Sequence, residues 1–145
     1  MNVLKHVSKV RVRYADTDQM KVVYHGRYFE YFEQARGDML RGLGLPYAEI
    51  ERQGVLIVVI EAFAKYKKSL TYDDLLEIET TVREAPVAKI RIEYRVFREG
   101  DPDPFVEGYT VHSFLNAATG RATRAPAQLI QLIEEALNVP GQRRA

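Results

Sequence analysis

The sequence predicts an α+β fold: one long helix covering one face of a five-stranded antiparallel sheet. Three observations carry the prediction. A strand-like segment precedes a stretch of helical spacing, and four strand-like segments follow it. Short, strongly punctuated turns separate those later segments, which is the connection antiparallel strands permit. The helical stripe is bulky and aromatic, so it needs a broad surface to bury it. With 145 residues, residues 1–137 form a single domain with a real core. Residues 138–145, which include Pro140, Gly141, Arg143 and Arg144, are expected to be a flexible tail.

Taken in order, Val7 to Tyr14 alternates: Val10, Val12 and Tyr14 on one face, Lys9, Arg11 and Arg13 on the other. A period of two marks a half-buried strand and places Tyr14 inward. Ala15 to Lys21 breaks the pattern and reads as a loop. From Tyr28 to Arg41 the apolar residues Tyr28, Phe32, Ala35 and Met39 recur at helical spacing, with Gly42 and Gly44 beyond as stop signals. Pro46 to Gln53 reads as a short second helix.

Val55 to Ile60 is a β-branched apolar run, which predicts a central strand buried on both faces; the strand continues to Lys68. Leu76, Ile78, Thr80 and Val82 alternate with polar neighbours, as do Ile90, Ile92, Tyr94 and Val96. Gly100 to Pro104 is a turn, and Phe105 to Asn116 a further strand. Arg121 to Ala125 adds a short extension, and Pro126 to Leu137 is a C-terminal helix opened by proline.

The net charge is +1, which argues against a dedicated nucleic-acid binder. No apolar run approaches the roughly 20 residues that span a bilayer, and the start lacks an apolar signal core; no membrane insertion and a cytoplasmic location are expected. There is no cysteine, which removes disulfides, thiolate ligands and cysteine nucleophiles. The three histidines, His6, His25 and His112, lack ligand spacing, so no metal is expected.

The stretch Tyr14 to Arg41 organises the chain. Two aspartates, Asp16 and Asp18, stand on one side of a Tyr24-His25-Gly26 corner, and a helix start stands on the other. A carboxylate beside unpaired backbone N–H groups is the minimum for hydrolysing a carbonyl compound. The run Tyr14-Ala-Asp16-Thr-Asp18, then Val22-Val-Tyr24-His25, Tyr28 and Phe32-Glu33-Gln-Ala-Arg36, with the later Tyr72-Asp73-Asp74, resembles the hotdog-fold acyl-CoA thioesterases. The similarity is to the 4-hydroxybenzoyl-CoA thioesterase superfamily, in its YbgC-type branch.

The resemblance implies a long central helix wrapped by a curved sheet. It also implies a homodimer joined sheet edge to sheet edge, with active sites at the interface, and a dimer of dimers, a homotetramer. It implies an acyl- or aroyl-CoA substrate and no separate cofactor. By position, Tyr14, Asp18 and His25 match the branch's functional tyrosine, aspartate and histidine. One departure is Lys21, where the family usually has a glycine that permits positive φ. The lysine leaves the local loop open: it narrows the acyl pocket or points to solvent.

Asp18 is the candidate for the hydrolytic step, as general base on water or as nucleophile forming an acyl anhydride. Asp16 reads as structural, bonding loop N–H groups. The backbone N–H groups of Tyr24, His25 and Gly26 are the candidate oxyanion cradle, and Tyr24, Tyr28 and Phe32 are candidates to line either a short acyl pocket or part of a tunnel. His25 orients Asp18 or polarises the carbonyl. Among the basic residues, Lys65, Lys67 and Lys68 form one cluster. Lys89 and Arg91, and Arg121 and Arg124, are the candidates for the CoA phosphates. Two alternatives stay open: an enoyl-thioester hydratase or dehydratase, and a non-catalytic acyl-binding or interaction protein.

Overall fold

The computed structural model describes residues 2–138. The chain runs through strand β1 (Leu4–Arg11), a 3₁₀ turn at Tyr14–Asp16, helix α1 (Arg27–Gly42) and helix α2 (Tyr47–Arg52). Four strands follow: β2 (Val55–Tyr66), β3 (Leu75–Val82), β4 (Lys89–Arg98) and β5 (Val106–Asn116). A two-residue β6 (Ala122–Thr123) and helix α3 (Ala127–Leu137) complete it. Asn138 caps α3; the rest of the expected tail lies outside the described residues.

The strands form one antiparallel sheet in the order β1-β3-β4-β5-β2. It has six strands rather than five, because β6 pairs with Phe114 and Leu115 of β5 just past Ser113, the last residue that β4 reaches. The helix expected to be long has 16 residues, about four and a half turns. β3–β4, β4–β5 and the short β5–β6 pair are hairpin neighbours. β2 and β3 lie far apart in the sheet, so residues 67–74 carry the chain across it.

β2 is therefore an edge strand and not a central one. Its apolar run signalled burial that one chain does not supply: Val59 is 48 % exposed, Ile60 49 % and Phe63 47 %. β1 also ends earlier than the alternation predicts. Its ladder stops at Arg11↔Leu75, and the Arg13 N–H turns to donate to Asp16 Oδ2 at 3.0 Å. A side chain thus captures the backbone group that would have continued the strand.

α1 buries Tyr28, Tyr31, Phe32, Ala35, Met39 and Leu40 against the inner sheet face, with Phe32, Met39 and Leu40 each worth roughly 1.5–3 kcal/mol of transfer. Phe32 stacks on Tyr94 with ring centroids 4.2 Å apart and planes 5° from parallel. Gly108 makes room for this pair: a Cβ there would strike the Phe63 carbonyl oxygen and the Phe32 ring. Behind it lies a buried polar chain. Arg36 Nε donates to the Tyr47 hydroxyl at 3.0 Å. Thr110 Oγ1 meets the Tyr94 hydroxyl at 2.6 Å and His112 Nε2 at 2.8 Å.

Candidate active site

The loop between β1 and α1 is held from the inside by Asp16, which is 1 % exposed. Its carboxylate accepts from the Arg13 N–H (3.0 Å), the Arg13 guanidinium (3.0 Å) and the Tyr31 hydroxyl (2.8 Å). Burial alone pushes this carboxyl up, but the three hydrogen bonds and the Arg13 charge outweigh it and hold it below its ordinary value. Asp16 is thus the loop's internal anchor.

Asp18 lies two residues on, where the loop turns. Its N–H donates to Val22 O at 3.0 Å, and its carbonyl accepts from Lys21 N at 2.9 Å. Asp18 Oδ1 accepts the Met20 N–H at 2.9 Å, which fixes the carboxylate's orientation. Oδ2 has no protein donor among the described residues. Lys21 has φ +65°, the left-handed conformation that a glycine adopts freely. The loop therefore keeps a glycine-like path with a lysine in it. The Lys21 side chain is exposed and does not narrow the cleft. Val23 N donates to Leu70 O at 2.8 Å and Val22 bridges Thr71, so the loop closes onto the segment that follows β2.

At the start of α1, Arg27 N and Tyr28 N turn back to the carbonyls of Tyr24 (2.9 Å) and His25 (3.3 Å). The Tyr24 N–H donates to Asp16 O at 2.9 Å, so it is already used and leaves the expected cradle. The N–H groups of His25 and Gly26 have no protein acceptor among the described residues. A Cβ on Gly26 would lie 2.8 Å from the half-exposed Tyr24 ring, which would have to shift. The His25 ring packs 4.4 Å from the Tyr24 ring and 6.1 Å from the Tyr66 ring, centroid to centroid. The Tyr66 hydroxyl donates to the His25 carbonyl at 3.3 Å. Tyr28 is buried 5.4 Å from Tyr66; burial, with Tyr66 and Asp74 adding, pushes its phenol up to about 12, so it stays protonated at neutral pH.

These parts open on one cleft of about 260 Å³. Asp18, His25 and Tyr28 line it from the loop and helix, and Tyr66, Lys68 and Ser69 from the end of β2. Tyr14 is not among them. It sits in the 3₁₀ turn instead of the strand, is 74 % exposed, and its ring lies 5.7 Å from that of Tyr72; the early end of β1 is why it does not face inward. Nor do Lys89, Arg91, Arg121 or Arg124 line the cleft of their own chain. Arg91 lies on the outer sheet face, its guanidinium 3.8 Å from the Tyr109 ring centroid.

Tyr66, Lys68 and Ser69 were absent from the sequence-derived site because they belong to a segment read as a solvated strand end. The nearest sequence signal was Tyr72-Asp73-Asp74, which marks where the chain returns to the loop. Among the described residues no group of His, Asp and Glu is placed to hold a metal ion, and no helix is long and apolar enough to cross a membrane.

The sequence profile described as the thioesterase-like superfamily matches residues 12–133. An acyl-CoA thioesterase YbgC of Haemophilus influenzae is 41 % identical over 90 residues, 61 % of this chain and 66 % of that protein. The crystal structure of a hypothetical protein from Aquifex aeolicus superposes with TM-score 0.81 at 31 % identity, over 88 % of this chain and 98 % of the other. That of a DHNA-CoA thioesterase from Staphylococcus aureus superposes with TM-score 0.79 at 31 % identity, over 83 % and 80 %.

Proposed function

The chain belongs to the thioesterase-like superfamily and is a thioester hydrolase, and we propose that it cleaves acyl- or aroyl-CoA to the free acid and CoA with Asp18 as the reacting carboxylate. The observation that carries this reading is the cleft itself. Asp18, whose carboxylate is oriented by the Met20 N–H, lines the same small volume as His25, whose N–H is unused, as is that of the adjacent Gly26.

A thioester carbonyl placed there has its oxygen toward the His25 and Gly26 N–H groups, where the helix start favours negative charge. Asp18 either takes a proton from water as the water oxygen bonds to the carbonyl carbon, or bonds to that carbon itself. In both routes the C–S bond breaks and the thiolate leaves; in the second, water then cleaves the Asp18 acyl anhydride, releasing the acid and restoring the carboxylate. The thiolate is a good leaving group, so His25 orients and polarises more than it protonates. Substrate and water are the only small molecules this chemistry needs.

Lys89, Arg91, Arg121 and Arg124 contact the CoA phosphates from across a subunit seam, where they serve a neighbouring cleft. Two features support the seam. β2 presents a 12-residue open edge with exposed Val59, Ile60 and Phe63, an arrangement that proteins cover by pairing, and the family resemblance implies sheet-to-sheet dimers that pair again. Light scattering should then return two or four times the 16.7 kDa chain mass; a monomer at micromolar concentration contradicts the seam.

Thiol release from short, long and aromatic acyl-CoAs tests the activity. Turnover on at least one class is expected. No release from any class, at enzyme concentrations matching the substrate, removes the reading.

A further inference from the structure

Lys68 differs from Lys67, the other cation that lines the Asp18 cleft. Lys67, beside it, forms an ion pair with Glu107, which also meets Arg95 at 3.8 Å. Lys68 forms no ion pair among the described residues. Its ammonium lies 5.2 Å from the centre of the Phe105 ring. The same ring faces the Arg98 guanidinium at 5.0 Å, but Arg98 is neutralised by Asp101 at 2.7 Å. One cation on this ring is therefore compensated and the other is not.

The Lys68 backbone is also held in place. The N–H groups of Lys67 and Lys68 both donate to Phe105 O, at 2.9 and 3.1 Å, which fixes the backbone where β2 ends. Ser69 follows on the cleft wall, and its hydroxyl has no hydrogen bond among the described residues. Lys68, which makes no ion pair, and Ser69, both exposed, thus line the same cleft of about 260 Å³ as Asp18. Such a pair attracts an oxyanion, and the aromatic face on one side of the ammonium limits its hydration there.

We infer that Lys68 with the Ser69 hydroxyl is an anion subsite of the Asp18 cleft, which selects thioesters carrying a negatively charged oxygen group, either a carboxylate on the acyl chain or a phosphate of the CoA moiety. The inference rests on the thioester hydrolase reading and adds a charge preference to it.

Four thioesters separate the two sources: a neutral acyl group and a dicarboxylic half-acid, each as the CoA ester and as the phosphate-free N-acetylcysteamine ester. Wild type is compared with Lys68→Met, which keeps the stem over Phe105 and removes the charge, and with Lys68→Arg, which keeps the charge. Lys68→Met is expected to raise KM about tenfold for the thioesters bearing the selected anion, with a much smaller change in kcat, and Lys68→Arg to restore most of it. A loss that follows the half-acid within the N-acetylcysteamine pair assigns the acyl carboxylate. A loss that follows CoA within the neutral pair assigns the phosphate. Equal kcat/KM for wild type and Lys68→Met on all four overturns the subsite.

Should wild type cleave none of the four, the hydrolase reading fails alone. The subsite is then read from the Kd of a non-hydrolysable CoA thioether bearing a carboxylated chain. Binding about tenfold weaker to Lys68→Met keeps the subsite, and equal binding overturns it.

Discussion

The Tyr31 hydroxyl on α1 donates a 2.8 Å hydrogen bond to the buried carboxylate of Asp16, two residues before Asp18 in the loop. This bond ties α1, which starts just after His25 and Gly26, to the loop that carries Asp18. The same Asp16 accepts the Tyr24 N–H through its carbonyl, so helix start, loop and cleft form one unit.

Tyr31→Phe tests that unit. It removes one of three donors to a buried charge, and hydrogen bonds to charged groups contribute roughly 1.5–3 kcal/mol. Urea unfolding should show a loss of about 2 kcal/mol, accompanied by a fall in kcat larger than any change in KM, because Asp18 is displaced and not removed. An unchanged unfolding midpoint would show that Asp16 does not depend on the helix.

Lys21 holds φ +65°, a conformation that costs a non-glycine residue roughly 1–2 kcal/mol. Lys21→Gly should relieve most of that cost and give back part of it as unfolded-chain entropy. The expected net gain is up to about 1 kcal/mol, which for a chain of this size raises the melting temperature by about 2–4 °C. A lower melting temperature would mean that the lysine contributes contacts outweighing its backbone strain.

Much of this architecture is legible in the sequence because periodicity reports burial directly. The alternation in β3 and β4 and the Tyr28-to-Met39 stripe match the buried faces. What periodicity does not report is which strand lies at an edge. Val55 to Ile60 is apolar enough for a sheet centre, yet it sits at the rim; the pattern records apolarity and not a strand's place in the sheet. Tyr14 misled for a local reason: its parity fits a strand that Asp16 ends by capturing the Arg13 N–H. Asp18, His25 and Tyr28 were legible from the motif and share the cleft. Tyr66 and Lys68 were not, since they reach it only through the crossing of residues 67–74 and the pairing of β2 with β5.

His112 gives the fold an acid limit. It is 1 % exposed, and burial, helped by the Arg36 charge, pushes its imidazole down from 6.5 to about 4. The unfolded chain binds this proton more readily than the folded one between those values, so stability rises with pH across that window and is lost on acidification from about 6.5 to about 4. His112 alone accounts for a loss on the order of 3 kcal/mol. His6, lowered chiefly by burial, acts in the same direction. Unfolding free energies at pH 7 and pH 4.5 should show the slope, and His112→Gln should remove most of it. A wild-type slope near zero contradicts a neutral buried imidazole.

The most direct test is kcat of Asp18→Asn on the thioester that wild type cleaves best, with unfolding midpoint and oligomeric mass measured on the same preparation. Asparagine keeps an acceptor for the Met20 N–H, so the turn survives and only the Asp18 charge is lost. The account predicts that kcat falls at least about 100-fold with stability and mass unchanged. A kcat within a few fold of wild type would contradict it and leave Asp18 as a turn residue.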